Sequence, residues 1–250
     1  MTKINDEKFY ISNSHVCGYL PGEQATDLFV DPYTPVDAAR YNQLVINGFR
    51  RSGKFFYRPH CRGCSECIPM RVPVDQFIFR RSHIRTLQHN SDLSSETIPA
   101  QFDEEQYRLY RKYISRRHSG GGMDKPDVEN YISFLCESTV DTRFIEFRSK
   151  RRLVALAVTD WLDHGLSAVY TCYEIDLQKR SLGSFAILSQ IKKAQELGLK
   201  YVYLGYWIKH SKKMSYKVSY LPAEVFYADK WNFVNDVNEL EELTAHPHKL

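Results

Sequence analysis

The chain has 250 residues, 43% of them hydrophobic, and a formal net charge of +4, which excludes wholesale disorder and allows one large core or two small ones. The charge is too small to name a partner, but it is uneven: nine Lys or Arg stand against two acids over residues 50–90, and five acids against two lysines from residue 229 onward. A basic middle with an acidic tail fits a polyanion-binding face.

The opening MTKINDEKFYIS lacks the apolar core of a signal peptide. The longest aliphatic run, residues 153–158, falls far short of the ~20 residues a membrane helix needs. A cytoplasmic protein is expected, with its six cysteines as thiols or metal ligands.

Cys17-Gly18, Pro21-Gly22 and Asp31-Pro32 are turn signals. Thr34 as N-cap, Pro35 at the first position and Asp37 in the first turn predict a helix over 34–47, ended by Gly48. It delivers Arg50 and Arg51 just past its end. Residues 55–57 read as a short strand leading into a cysteine loop. Residues 71–79 read as a strand or edge strand, since Pro73 cannot donate to a ladder. Residues 80–90 are basic and carry two histidines. Residues 103–117 form a helix, with acids in the first turn and bases in the last. Ser119-Gly120-Gly121-Gly122 reads as a linker rather than a phosphate cradle, because it neither follows a strand nor opens a Walker pattern.

Residues 126–136 form a second helix, with Val128, Tyr131, Ile132 and Leu135 inward. Strands at 144–147, 153–160 and 168–173 make an antiparallel meander. An amphipathic helix follows at 182–197, stopped by Gly198, then a strand at 201–204. Meander, helix, strand resembles the core of the N-acetyltransferase (GNAT) superfamily. The expected class is α+β: a small N-terminal domain with a cysteine-rich loop over residues 1–100, then a GNAT-like domain over 101–250, an antiparallel sheet with helices.

Cys61, Cys64 and Cys67 recur every third residue, so several thiolates can point at one ion from a tight loop. Zinc and an iron–sulfur cluster both fit, with His60 one source of a further ligand. The alternative is a set of reduced thiols closing a loop. Cys136 and Cys172 lie on apolar faces, as core residues do. Residues 203–226 interleave Lys209, Lys212, Lys213 and Lys217 with Tyr206, Trp207, Tyr216 and Tyr220. Lysines neutralise phosphates and aromatic faces stack unpaired bases; a solvated loop beside a core strand has the same composition.

Two ordered blocks narrow these choices. The first is Cys17-Gly18-Tyr19-Leu20-Pro21, Gly48-Phe49-Arg50-Arg51-Ser52-Gly53, Tyr57-Arg58-Pro59, the three loop cysteines, and Pro69-Met70-Arg71. The second is Tyr203, Gly205-Tyr206, Lys213-Met214, Tyr216-Lys217, Tyr220 and Pro222. Together they resemble the aminoacyl-tRNA–protein transferases, and the cysteine run resembles the bacterial leucyltransferase branch. The resemblance covers most of residues 13–230. It implies transfer of leucine from leucyl-tRNA to the N-terminal α-amine of proteins beginning with Asp or Glu, marking them for degradation. It also implies Cys17 as the fourth cysteine ligand. Leu20 stands where eukaryotic relatives carry a second cysteine, which weakens any carry-over of their cluster.

The reaction sets the site residues to look for. An aminoacyl ester is already activated and an α-amine is partly neutral at pH 7, so positioning supplies most of the rate and no cofactor is required for the transfer. Glu174 and Asp160, beside the meander, are candidates for a base. An acceptor carboxylate wants a bidentate guanidinium from Arg50, Arg51 or Arg71. Tyr170, Tyr206 and Trp207 are candidates to line a leucine pocket. Tyr206, Lys209, Lys213, Tyr216 and Lys217 are candidates to hold the tRNA 3′ end, with Arg80, Arg81, Arg85, Arg116 and Arg117 along its stem. Two other functions remain open. An arginyl donor keeps the same acceptors; a non-catalytic metal-containing RNA-binding protein explains the basic patch alone. Acetyl-CoA is disfavoured: Arg180-Ser181-Leu182-Gly183-Ser184 fits a pyrophosphate loop, but Phe185 occupies the small-residue position.

Overall fold

A computed structural model describes residues 8–117 and 127–245. The predicted linker at 119–122 lies outside the described residues. The chain opens with β1 (Phe9–Ile11), β2 (His15–Val16), β3 (Gln24–Ala25) and β4 (Asp27–Val30), then α1 (Ala38–Ile46), β5 (Arg50–Ser52) and β6 (Phe55–Pro59). Strands β1, β4, β6 and β5 form a four-stranded antiparallel sheet. Helix α1 starts one turn later than predicted. Its N-cap is Asp37, whose carboxylate accepts from the Arg40 N–H at 2.8 Å, while the Thr34 hydroxyl donates to Asp31. The helix stops at Gly48, φ +80°, which turns the chain into β5.

An eight-stranded sheet carries the rest. It contains β7 (Ile68–Pro73), β8 (Leu93–Pro99), β9 (Thr142–Ser149), β10 (Arg152–Leu162), β11 (Gly165–Tyr173), β12 (Tyr201–Trp207), β13 (Ala223–Tyr227) and β14 (Lys230–Val234), in the order β14-β13-β7-β12-β11-β10-β9-β8. Its helices are α2 (Arg81–His89), α3 (Glu104–Arg117), α4 (Val128–Tyr131), α5 (Leu182–Glu196) and α6 (Val237–Leu243). A π-helical turn, Ile132–Cys136, continues α4. The predicted meander is present as β9–β11. Strand β7 is a different matter: it lies inside the sheet, between β12 and β13, and ends on Pro73. The large sheet thus takes β7 and β8 from before residue 100 and its other strands from after it.

Strand β10 shows how the sheet is covered. Its side chains alternate with period two. Leu156 and Val158 face α3 in one cluster, and Leu162 joins α1 in another. Ala155 and Ala157 face α5, and the Thr159 hydroxyl meets Gln190 of that helix. A strand buried on both faces reads as a near-continuous apolar run, as LVALAV does here.

One pairing in the sheet is parallel. Strands β11 and β12 are joined through α5, the long crossover a parallel pair needs. They are paired only over Gly165–Ser167 and Tyr201–Tyr203. Between Val158 and Thr159 of β10 the partner jumps from Tyr170 to Ala168, so Val169 is an extra residue on β11. Such a bulge bends its strand. Past Ser167 and Tyr203, β11 runs on to Tyr173 and β12 to Trp207 without a shared register, leaving a split between two neighbouring strands.

Candidate active site

Arg50 fills the mouth of this split. From the start of β5 it donates Nη1 to the Ser167 hydroxyl at 3.1 Å and Nη2 to the Ala168 carbonyl at 2.6 Å. The opposite wall is Gly205. A Cβ there would lie 3.3 Å from the Arg50 Cζ and Nε, and the residue has φ +77°. Glycine is needed on both counts. No carboxylate among the described residues pairs with Arg50, and most of its five-donor fork stays free. A shallow cleft of about 10 Å³, room for roughly one water, adjoins it, lined by Gly48, Arg50, Met70, Tyr203, Gly205 and Trp231.

The other two candidate arginines are already engaged, which corrects the expectation that they hold an acceptor. Arg51, one residue along β5, points the other way and is sealed from solvent. It forms a bidentate pair with Asp160, Nε at 2.9 Å and Nη2 at 2.8 Å. Tyr41 and Thr142 also donate to Asp160, both at 2.6 Å. Arg71 meets Glu224 at 2.7 Å through Nε and lies over the rings of Tyr201, at 3.7 Å, and Trp231, at 4.1 Å.

The two candidate bases are corrected for the same reason. Asp160 is held by Arg51. Glu174 is buried between Lys112, at 2.5 Å, and Arg152. Both carboxylates are structural counter-ions.

The 203–226 stretch divides by exposure. Lys213 and Tyr216 face solvent, and Lys209 pairs with Glu241 at 2.9 Å on the surface. Tyr206 and Trp207 are buried. The Tyr206 hydroxyl donates to the Gly48 carbonyl at 3.1 Å, tying the split to the end of α1. Trp207 packs in the cluster around Leu221 and Val225, with no hydrogen-bond partner for its indole nitrogen among the described residues. Lys217 corrects the expectation of a phosphate contact. It is 3% exposed, and its Nζ donates to the Tyr206 carbonyl at 2.6 Å and contacts Met214 Sδ at 2.9 Å. Tyr170 packs edge-on against Tyr110, Tyr113 and Phe134 on the α3 side, its hydroxyl buried and without a partner.

Tyr19 and Tyr57 also belong to the neighbourhood of Arg50, although only their place in the first motif block marked them. Burial raises both phenols, with the Arg50 charge pulling the other way. Ser167 carried no signal in sequence, because a buried serine in a strand looks like any other.

Cys17 is brought to the loop of Cys61, Cys64 and Cys67. Burial raises the Cys67 thiol, and the charges of Cys61, Cys64 and Cys17 raise it further. The Cys17 sulfur accepts from the backbone N–H of Leu20 at 3.4 Å. Even so, among the described residues no group of three or more His, Cys, Asp or Glu is placed to hold a metal ion. No step below runs through a metal.

The pyrophosphate-loop alternative also changes. Phe185 does not cover the start of α5 but turns into the core against Phe147, at 5.1 Å. Arg180 is the engaged residue, paired with Asp92 at 2.8 and 3.0 Å.

Residues 15–85 match the sequence profile described as the N terminus of arginine-tRNA-protein transferase, and residues 105–227 match that of its C terminus. An aspartate/glutamate leucyltransferase from Pseudomonas savastanoi pv. phaseolicola is 49% identical over 231 residues, covering 92% of this chain and 98% of that protein. Another from Alcanivorax borkumensis is 46% identical over 239 residues, covering 96% and 99%. The crystal structure of FemX aligns over 95% of this chain and 91% of that one, at 11% identity and a TM-score of 0.47. Both halves of the profile match in order, and near-full-length relatives share almost half their residues. The chain therefore belongs to the arginine-tRNA-protein transferase family.

Proposed function

We propose that the protein transfers leucine from leucyl-tRNA to the N-terminal amine of proteins beginning with Asp or Glu, at the split between β11 and β12. The names of the relatives support the donor and the acceptors. The observation that carries the acceptor side is Arg50: a guanidinium fixed at the mouth of the split, with donors to spare and no carboxylate partner among the described residues. An acidic first side chain completes it as a charge-assisted, bidentate pair. That pair places the α-amine one side-chain length away from the fork.

The amine attacks the ester carbonyl carbon. A C–N bond forms, the C–O bond to the tRNA ribose breaks, and the ribose oxygen takes a proton. No covalent enzyme intermediate is required. Holding the two reactants together supplies the rate. Lys213 and Tyr216, both exposed, hold the tRNA 3′ end by charge and stacking. A charged tRNA as donor supports the cytoplasm as the place of work. The products are marked for degradation by their new first residue.

The test is a transfer assay read by product mass. Peptides beginning Asp, Glu, Arg or Ala are each offered with leucyl- or arginyl-tRNA. The expected result is addition of leucine to the Asp and Glu peptides alone. Addition of arginine would overturn the donor, and no addition would overturn the reaction.

A further inference from the structure

Lys217 is a buried lysine with no acid beside it among the described residues. Buried lysines normally pair with a carboxylate, because an uncompensated ammonium is costly away from water. The groups facing Lys217 are different. Among charged groups, Arg50 of β5 and Cys67 of the loop before β7 act on it through their charge. The Tyr206 carbonyl comes from β12, and Met214 and Tyr216 come from its own segment. Two corners of the nitrogen are fixed, one by the Tyr206 carbonyl at 2.6 Å and one against Met214 Sδ at 2.9 Å. Among the described residues the remaining corner has no partner. Tyr206, whose carbonyl holds this nitrogen, lies past Tyr203, the last residue of β12 paired with β11, where the split opens. Arg50 stands in the same split.

We infer that Lys217 takes the proton from the attacking α-amine and returns it to the leaving ribose oxygen. This rests on the leucyl-transfer reading. The acceptor ammonium first loses one proton to solvent; as the free amine forms the C–N bond, its next proton passes to Lys217 Nζ. As the C–O bond breaks, the Lys217 ammonium hands that proton to the ribose oxygen, so the lysine ends neutral as it began. No other reactant is consumed. Burial, with the Arg50 charge adding to it and the Cys67 charge opposing, brings the Lys217 ammonium down to about 7. A base works best with its pKa near the working pH. The sign follows: Lys217 is competent above about 7 and protonated below it, so transfer falls as pH drops through that value.

The test is single-turnover transfer from leucyl-tRNA across neutral pH, on the full chain, with two acceptors. One is an Asp-initiated peptide; the other carries an aminooxy group in place of its α-amine and so stays uncharged throughout the range. If Lys217 accepts the proton, both acceptors show the same fall in rate below neutrality. A profile that goes flat with the aminooxy acceptor overturns the inference, because the limb then belongs to the peptide amine alone. Lys217→Arg keeps charge and donors but cannot give up a proton. It is expected to slow transfer about 100-fold, with leucyl-tRNA affinity within about twofold of wild type. Wild-type rates in that variant overturn the inference. Should the variant fail to fold, the two wild-type profiles decide alone. A wild type that transfers to neither acceptor defeats the leucyl-transfer reading instead.

Discussion

Arg51→Met is expected to destabilise the protein by about 3–5 kcal/mol, although Arg51 lies next in sequence to the residue assigned to the acceptor. The arginine and Asp160 are both fully buried, and their side chains meet twice. The carboxylate collects further donors from Tyr41 on α1 and Thr142 on β9. The cluster therefore pins the small sheet and α1 to the middle of the large sheet. Removing the cation leaves a buried carboxylate with two neutral donors, and desolvation is no longer offset. Arg51→Met/Asp160→Leu removes both charges and should recover part of the loss, because the singles share one interaction. Urea unfolding of the three variants checks this. A single variant within about 1 kcal/mol of wild type would contradict the assignment.

Gly205→Val is expected to lower transfer at least 100-fold while costing only about 2 kcal/mol of stability. The backbone at φ +77° disfavours an L side chain by roughly 1–2 kcal/mol. The greater damage is local. The new Cβ stands 3.3 Å from the guanidinium and the two γ-methyls of valine reach beyond it, so Arg50 has to move away from Ser167 and Ala168. A displacement of about 1 Å misplaces reacting groups and costs about 100-fold. Gly198→Ala separates the two effects. It has a comparable φ of +67° with nothing within 4 Å of its Cβ, so it should lose stability and keep activity. Equal activity loss in both variants would show that backbone strain, not the wall of the split, matters.

Local patterns revealed much of this fold. The alternation over 144–173 and the amphipathic run from Leu182 gave the meander and α5, because period and burial are properties of neighbouring residues. The position of β7 was not legible. Its pairing with β12 joins Arg71 to Tyr203 across most of the chain, and nothing in IPMRVP says which strand it will meet. The same limit governed the site. Arg50, Arg51 and Arg71 look alike in sequence. What separates them is whether a distant carboxylate reaches them: Asp160 for Arg51, Glu224 for Arg71, and none among the described residues for Arg50. Lys217 sits among exposed lysines in sequence, and only the fold of 214–220 against β12 buries it. The motif blocks found the neighbourhood; the pairings within it decided the roles.

The most direct test compares acceptor peptides that begin with Asp or its neutral isostere Asn, in the wild type and in Arg50→Gln. A charge-assisted pair is worth about 1.5–3 kcal/mol. The wild type should therefore prefer Asp over Asn in kcat/KM by roughly 10- to 150-fold. In Arg50→Gln that ratio should collapse to a few-fold, through loss of the Asp reaction, with leucyl-tRNA binding unchanged. An unaltered Asp/Asn ratio in the variant would mean that the acceptor is read elsewhere than at the split.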